Sequence, residues 1–428
     1  MYTPIPAIEV RVWGRKVGAV ALDPAIGYYA FEYEPRFLAS GIELAPVAMP
    51  LAGGREPFIF PSLPERTFHR LPALLADALP DDFGNALIDA WMATEGVDKA
   101  QITPLDRLAY MGRRGMGALE FKPARGPKAS RKETAIELGQ LVESARLAVR
   151  GELSSDAMAQ AALAQIISVG TSAGGARAKA VVAWNPATEE IRAGQFDVDP
   201  GFEHWILKFD GMGTDRELGS SQDYGRIEFA YYLMATSAGI TMSSSRLLEE
   251  NGRAHFMTRR FDRDGNTRHH IQTLCAMAHL DYRQRATHDV SQIFLTLDRL
   301  RVEYPAREEA FRRVAFNVMG ANHDDHTKNV SFLLREGGPW ELAPAYDVNY
   351  AYNPDGEWTY QHLMSVNGKF SGITRDDLLS VADRFGIGRA RAILKDVHQA
   401  VAAWGDHAVA ANLAEPQVSR IRGHHILL

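Results

Sequence analysis

The stretch that decides the fold is Asn322-His323-Asp324-Asp325-His326-Thr327-Lys328-Asn329, and a further acidic residue, Asp347, follows it. Asp324 precedes Asn329 by five positions, which is the separation between the base and the metal-binding Asn in the catalytic loop of protein kinases. An Asp can accept a hydroxyl proton, while an Asn carbonyl and a second carboxylate offer the hard oxygens that Mg²⁺ prefers. The pattern predicts a phosphoryl-transfer site with Asp324 as base and Asn329 and Asp347 as magnesium ligands.

The residues after this stretch favour a hairpin. Residues 330–334 alternate as a strand does, and residues 340–344 can pair with them across the Gly337-Gly338 turn. Such a hairpin would bring Asn329 and Asp347 back to one end, where both can reach one metal ion.

Two other interpretations of the stretch are open. Asp, Asn and His side chains are common in turns because they bond the local backbone. In addition, His323-Asp324 is the central pair of an HD-type metal phosphohydrolase site, which needs another His upstream on a helix and an Asp downstream. Placement in a loop before a hairpin favours the phosphoryl-transfer interpretation.

A glycine-rich segment, residues 170–177, lies between the apolar runs 163–169 and 178–184. The order predicts a strand, a loop and a second strand. Small residues let backbone N–H groups approach phosphate oxygens, and Arg177 or Lys179 can add positive charge. A simple hairpin turn is the alternative. The small residues concerned are Gly174, Gly175 and Ala176.

A lysine inside a short apolar strand is the next informative feature. Lys208 lies inside the otherwise apolar run His204–Phe209, where a cation is costly unless an anion meets it. We expect it to contact the α- and β-phosphates of a nucleotide, positioned by Glu228 on the helix predicted for residues 224–238. The alternatives are an edge-strand lysine that points to solvent and a solvent-facing glutamate.

Taken in this order, the segments resemble the HipA-type serine/threonine kinases, the toxin halves of bacterial toxin–antitoxin pairs. Residues 12–18 and 79–84 resemble the amino-terminal module of that family. The other matching segments are residues 172–179, 205–209, 260–263, 324–329 and 346–348.

The resemblance implies roles for individual residues. Asp324 looks like the catalytic base, Asn329 and Asp347 like magnesium ligands, and Lys208 like the phosphate-binding lysine. Phe261 resembles the hinge aromatic beside adenine, and the preceding strand, which contains Met257, would supply backbone groups to the adenine edge. Further ATP contacts are implied for Gly174, Gly175, Ala176, Lys179, His326, Lys328 and Tyr346.

Two positions need comment in the light of the resemblance. Ser172 matches the serine that the family phosphorylates on itself, which locks the glycine-rich loop out of the site; an ordinary surface serine is the alternative. Arg259 departs from the pattern, because family members often carry an acidic residue there. Side-chain contacts from that position to the nucleoside are therefore not expected.

The resemblance also implies partners. They are a small helix-turn-helix antitoxin (HipB-like), through which alone the chain would reach DNA, and a protein substrate such as an aminoacyl-tRNA synthetase. The cofactors implied are ATP and Mg²⁺. A catalytically silent nucleotide-binding scaffold is the alternative function, which the complete set Asp324, Asn329 and Asp347 disfavours.

Composition favours a cytoplasmic enzyme. The chain has 428 residues, 46% of them hydrophobic, which suffices for two or three domains with ample cores. Its one cysteine, Cys275, excludes an internal disulfide framework. No signal peptide or membrane-spanning run is evident. The net charge of −6 argues against a stand-alone nucleic-acid binder.

We expect an α+β, bilobal, protein-kinase-like fold, with a mixed α/β N-terminal lobe and a mainly helical C-terminal lobe. The predicted divisions are 1–125 (N-terminal module), 126–262 (the rest of the N-terminal lobe) and 263–428 (the C-terminal lobe). A small sheet is predicted within residues 8–35, helices within 72–96 and 135–167, and a linker at 121–130. Gly112, Gly115 and Gly117 do not form a dinucleotide fingerprint, because their spacing is wrong.

Overall fold

A four-stranded antiparallel sheet forms near the N-terminus, in the order β3-β2-β1-β4. In β1, Ile8, Val10 and Val12 are fully buried and alternate with more exposed residues, which is the pattern of a sheet with one face on the core. The predicted small sheet is thus confirmed. The strands are β1 Ala7–Val12, β2 Arg15–Asp23, β3 Tyr28–Tyr33 and β4 Leu119–Lys122.

Short helices lie between β3 and β4. The helix predicted within residues 72–96 is divided in two, because Pro80 lacks the N–H that a continuous helix requires. The linker predicted at 121–130 begins later than expected, since Phe121 and Lys122 belong to β4. The helices are Pro35–Leu38, Glu65–Phe68, Ala73–Ala76, Asp82–Thr94 and Pro104–Met111, with 3₁₀ turns at Leu51–Gly53 and Lys99–Gln101.

The computed structural model describes residues 2–80, 82–127, 138–150, 166–167, 178–211, 214–215, 219–220 and 223–428. Within these residues the chain forms two compact units. The first comprises Met1–Met212, Arg259–Gln272 and Leu333–Gly338, and the second comprises Gly213–Thr258, Thr273–Phe332 and Pro339–Leu428. The boundaries predicted from the sequence stay predictions.

A second set of strands in the first unit carries the two lysines of interest. Strand β5, Lys179–Trp184, is buried throughout and pairs antiparallel with β6, Ile191–Ala193, and with β7, Glu203–Lys208. The predicted strands 178–184 and 204–209 are therefore confirmed. The strand predicted at 163–169 is not, since Ile166 and Ile167 are helical, in agreement with the helix predicted for 135–167. That helix is described at Leu138–Arg150.

The second unit begins with the helix Tyr224–Ser237. The apolar face predicted for it is confirmed, because Ile227, Ala230, Tyr231 and Met234 are all at most 1% exposed. The hairpin of β10, Ser245–Glu250, and β11, Arg253–Arg259, follows it.

The predicted hairpin after the catalytic stretch is also present, as β16 Ser331–Leu334 and β17 Trp340–Leu342. Shorter strands are β8 Thr214–Asp215, β9 Gly219–Ser220, β12 Arg263–Asp264, β13 Thr267–Arg268, β14 His270–Thr273, β15 His288–Asp289 and β18 Met364–Ser365. The later helices are Leu274–Ala278, Ser291–Arg299, Pro305–Met319, Arg375–Arg384, Ala390–Ala402, Trp404–Ala410 and Glu415–Arg422.

Candidate active site

The predicted catalytic loop, residues 322–329, follows the helix Pro305–Met319 and contains two adjacent aspartates in different surroundings. The side chain of Asp324 is 49% exposed, whereas that of Asp325 is 8% exposed. Asp325 accepts hydrogen bonds from the backbone N–H of Leu363 at 2.7 Å and from Nδ1 of His362 at 2.8 Å. Asp325 therefore anchors the loop, while Asp324 is accessible to a substrate.

Asn329 closes the loop onto its own beginning. It ends the 3₁₀ turn Thr327–Asn329, and its Nδ2 donates to the backbone oxygen of Asp324 at 2.7 Å. Because the amide is planar, this bond turns Oδ1 to the other side, where it can serve as an oxygen ligand. Thr327 is fully buried and donates to the backbone oxygen of Leu280 at 2.7 Å. This bond fixes the position of the turn Thr327–Asn329 against Leu280.

Asp347 is presented by a strained and tethered segment. Its φ is 51°, a left-handed conformation that few non-glycine residues adopt. The preceding Tyr346 hydroxyl lies 2.5 Å from Oγ of Ser331 and donates to the backbone oxygen of Lys328 at 2.6 Å. The segment that carries Asp347 is therefore tied to the end of the catalytic loop.

A cavity of about 50 Å³ lies in this part of the second unit. Asn329 and Asp347 both line it, together with His326 and Tyr346. An amide oxygen and a carboxylate that line one cavity suit a Mg²⁺ ion, which takes oxygen ligands and keeps several waters. The residues present therefore fit the metal that the sequence predicted.

His323 lies deeper in the loop and acts as a neutral spacer. Burial, reinforced by the nearby His362, lowers the pKa of His323 to about 4. Its ring lies 4.2 Å from the ring of His362, between centroids, and its Nδ1 is 3.1 Å from the backbone oxygen of Thr359. The neutral imidazole thus connects the catalytic loop to residues 359–362.

The HD-type interpretation gains no support. His323 follows the end of a helix instead of lying on one, and it packs against a carbonyl oxygen, the Tyr352 ring and a second imidazole. Among the described residues, no group of three or more His, Cys, Asp or Glu side chains is arranged to hold a metal ion.

Two further loop residues, His326 and Lys328, lie against Tyr282. The Nζ of Lys328 is 5.1 Å from the Tyr282 ring centroid, and the His326 ring lies edge-on at 5.2 Å. Nε2 of His326 is also 3.8 Å from Oδ1 of Asp324. Tyr282 therefore packs against both Lys328 and His326, and His326 also lies near the predicted base, Asp324.

In the first unit, the two lysines predicted to contact phosphate lie directly opposite each other. Lys179 on β5 pairs with Lys208 on β7 in the antiparallel register. Side chains at opposed positions lie on the same face, about 5 Å apart at Cβ. Lys179 is 2% exposed and Lys208 is half-buried, so two ammonium groups lie at a largely buried strand end.

The remaining predicted residues fall in several places. Glu228 is 4% exposed, so the alternative of a solvent-facing glutamate is wrong. Met257 is fully buried on β11, and Phe261 is half-buried beyond its end. The predicted loop residues Ser172, Gly174, Gly175 and Ala176 lie outside the described residues.

A buried charge cluster in the first unit was not predicted from the sequence. Asp262 is completely buried, and Arg260, Arg263 and the backbone N–H of Gly117 all donate to its carboxylate. Burial alone raises the pKa of Asp262, but the two arginines outweigh that effect and hold the pKa well below its usual range. The available signal was the charge alternation in Arg260-Phe261-Asp262-Arg263 together with the glycines at 115 and 117.

Two family models match the sequence of this chain. Residues 8–122 match the HipA N-terminal domain, and residues 171–404 match the HipA-like C-terminal domain. The second match alone spans more than half of the chain. The protein therefore belongs to the HipA family, as the sequence motifs had indicated.

Solved structures support the fold. HipA of Shewanella oneidensis MR-1, in a structure of a toxin–antitoxin system with HipB and operator DNA, matches with a TM-score of 0.66 and 16% identity, over 97% of this chain and 95% of that chain. The predicted kinase-like α+β fold is thereby confirmed. The proinflammatory kinase CtkA of Helicobacter pylori has a TM-score of 0.38 and 12% identity, over 59% of this chain and 90% of that chain. That likeness is too weak to carry an argument.

No curated protein matches the sequence significantly. Within the described residues, no helix is long and apolar enough to cross a membrane.

Proposed function

We propose that the protein is an ATP- and Mg²⁺-dependent kinase that phosphorylates a serine or threonine of another protein. The observation that carries the proposal is the joint placement of Asp324, Asn329 and Asp347. The Asn329 amide holds the backbone of Asp324, while Asn329 and Asp347 line one cavity. One loop and one tethered segment thus offer a base and two hard-oxygen ligands.

In the proposed reaction, Asp324 accepts the proton of the substrate hydroxyl. The hydroxyl oxygen forms the new bond to the γ-phosphorus of ATP, and the bond from that phosphorus to the ADP oxygen breaks. Exposure of the Asp324 side chain lets a protein hydroxyl approach it, and the loop contacts of Asn329 and Thr327 hold it in place.

The other residues bind and orient the nucleotide. Asn329 and Asp347 would hold Mg²⁺, which neutralises charge on the phosphate oxygens when bound. Lys208, Lys179 and Lys328 add fixed positive charge for the phosphates, and Glu228 positions Lys208. We assign further nucleotide contacts to Gly174, Gly175, Ala176, Met257, Phe261, His326 and Tyr346.

The cellular role that we propose is that of a toxin. The structural relative from Shewanella was solved with HipB and operator DNA, and on that basis we propose a small helix-turn-helix antitoxin as partner. DNA contact would then occur only through the antitoxin, because this chain carries a net charge of −6. An aminoacyl-tRNA synthetase is the proposed substrate. Co-purification with the product of an adjacent gene tests the partner.

The decisive experiment combines an in vitro assay with phosphoproteomics. Purified protein should bind ATP with Mg²⁺, and brief expression in a bacterial host should raise phosphoserine or phosphothreonine on one or a few proteins. Asp324→Ala should abolish both transfer and the new phosphosites. The matched control is Asp355→Ala, an exposed aspartate on a neighbouring loop. ATP binding without any transfer would identify a scaffold instead.

Self-inactivation through Ser172 belongs to the same proposal. A phosphate adds roughly −1.5 to −2 charges, which would repel ATP from a loop whose N–H groups should bind phosphate. Mass spectrometry of the wild-type protein should find phosphoserine at 172, and the Asp324→Ala protein should lack it. Unaltered ATP affinity of the phosphorylated form would contradict the switch and leave the kinase assignment intact.

A further inference from the structure

The segment on either side of Phe261 is fixed by buried ionic contacts. Arg260 and Asp262 have fully buried side chains and pair through two hydrogen bonds, Nε to Oδ1 at 2.9 Å and Nη2 to Oδ2 at 2.7 Å. A fork of this kind fixes both side chains in direction as well as distance. Because residues 260 and 262 are locked to each other, the backbone of Phe261 between them has little freedom.

The N-terminal module completes this cluster through its backbone. The N–H of Gly117 donates to Oδ2 of Asp262 at 2.8 Å. In the other direction, Arg263 donates to the carbonyl oxygens of Gly115 and Gly117, each at 3.1 Å. Arg268 donates to the oxygens of Gly117 and Leu119, at 3.0 and 3.1 Å.

Charge balance shows why the module is needed there. The cluster contains three buried guanidinium groups, of Arg260, Arg263 and Arg268, but two carboxylates, of Asp262 and Glu120, and Glu120 also pairs with the exposed Arg113. Carbonyl oxygens of Gly115, Gly117 and Leu119 therefore replace part of the water that the arginines lost on burial. Without that segment the buried cations would lose these bonds, which is strongly unfavourable.

The module and the segment 260–271 are closely packed at Gly117. Gly117 has a φ of +76°, and a Cβ added there would lie 3.0 Å from the backbone nitrogen of Ile271. Trp13 on the module also donates its Nε1 to the backbone oxygen of Arg268 at 2.8 Å. Module residues thus hold both ends of the segment 260–268.

We infer that Asp262 and the module segment Gly115–Glu120 are positioning elements that fix Phe261 for contact with the nucleotide base. The N-terminal module thereby sets nucleotide affinity and base selectivity, although none of its residues is assigned to the chemistry. The inference rests on the proposed function, which places Phe261 beside adenine.

The test variant is Asp262→Asn, which keeps the shape of the side chain and removes its charge. The dissociation constant for ATP should rise about tenfold or more, and the preference for ATP over GTP should shrink. The kcat at saturating ATP should stay within about threefold of the wild-type value, since the catalytic loop is untouched. A merely structural role would lower the amount of active protein without changing selectivity.

A matched control exists in the same module. Asp89 pairs with Arg107 at 2.6 Å, and their side chains are 14% and 15% exposed. Asp89→Asn removes the same charge from a carboxylate whose ion-pair partners, Arg107 and Lys99, both lie outside the Asp262 cluster. Its ATP affinity and its ATP-to-GTP ratio should equal those of the wild-type protein.

If Asp262→Asn does not fold, Arg268→Lys decides the question. That variant keeps the charge and loses the paired bonds to Gly117 and Leu119, so ATP affinity should fall by a smaller factor in the same direction. Wild-type affinity and selectivity in whichever variant folds would overturn the inference. A wild-type protein that binds no ATP would instead overturn the proposed function.

Discussion

The catalytic loop and the Asp262 cluster each centre on an aspartate, but they expose it in opposite ways. The Asp324 side chain is 49% exposed and lies in a loop held by its neighbours. The Asp262 side chain is 0% exposed and is saturated by Arg260, Arg263 and Gly117. A carboxylate that must accept a proton needs an approach path, whereas a carboxylate that fixes a backbone needs every lone pair filled. Exposure and hydrogen-bond saturation therefore separate chemistry from positioning.

The largest effect that this comparison predicts is on the rate. Asp324→Asn should lower phosphoryl transfer about 10²- to 10⁴-fold, because an amide cannot accept the hydroxyl proton. The midpoint of thermal unfolding should change little, since the side chain is half-exposed. Single-turnover transfer and a melting curve measure the two quantities. A rate loss with a large fall in melting temperature would place Asp324 in the positioning class.

Next in size is the effect of Asp262→Ala on stability. Removal of the carboxylate leaves Arg260 and Arg263 buried without their anion, which should lower the free energy of unfolding by about 3–5 kcal/mol. Urea denaturation measures the change. The same substitution at Asp355, which is exposed, should cost under about 0.5 kcal/mol. Equal losses of unfolding free energy at Asp262 and Asp355 would show that the Asp262 carboxylate does not hold its cluster together.

The pH dependence of stability should also differ between the two regions. His323 titrates near 6.5 when unfolded and at about 4 when folded. Its contribution is therefore complete above about pH 6.5 and is lost as the pH falls towards about 4, a difference of about 3 kcal/mol at most. His323→Asn keeps a donor for Thr359 and should flatten the curve of unfolding free energy in that window. Parallel curves for variant and wild type would contradict this.

Asp262 has the same sign of dependence in a lower window. Its folded pKa is depressed, so its contribution persists down to the ordinary carboxylate range and is lost only as the pH falls below about 4. The variant His323→Asn should therefore leave the acid-induced transition below pH 4 unchanged.

The smallest predicted effect concerns the tether between the loop and Asp347. Tyr346→Phe removes the bonds to Lys328 and Ser331 and should cost about 1 kcal/mol, seen as a several-fold rise in the Mg²⁺ concentration needed for half-maximal transfer. The matched control is Tyr304→Phe, an exposed tyrosine of the same unit that donates to Gly386. An unchanged Mg²⁺ requirement would mean that Asp347 is held by its own backbone alone.

Local patterns let the sequence predict the strands, the hairpin and the catalytic stretch. Alternation in β1 and the helical period after Tyr224 are visible over a few residues. The spacing of Asp324 and Asn329 likewise lies within one short segment of the sequence. These signals depend on neighbours in the chain, so they are readable without the fold.

Long-range partners were not readable in the same way. The bond from Gly117 to Asp262 joins residues 145 positions apart, and no local pattern reports which backbone amide a buried carboxylate will meet. The spacing of Gly115 and Gly117 excludes a dinucleotide fingerprint, but it gives no sign that their carbonyl oxygens accept hydrogen bonds from Arg263. Similarly, the helical state of Ile166 and Ile167 contradicts an apolar run that favours a strand, because short apolar runs fit either element.

The left-handed backbone of Asp347 has a consequence for how this protein can change over generations. An aspartate at φ 51° is strained, and glycine would relieve about 1 kcal/mol of that strain while it removed the metal ligand. Glycine fits a φ of 51° without a steric penalty, so it would remove the metal ligand at a smaller structural cost than a β-branched residue at the same position. Copies released from selection for activity should therefore keep their fold more readily with glycine at residue 347 than with valine or isoleucine.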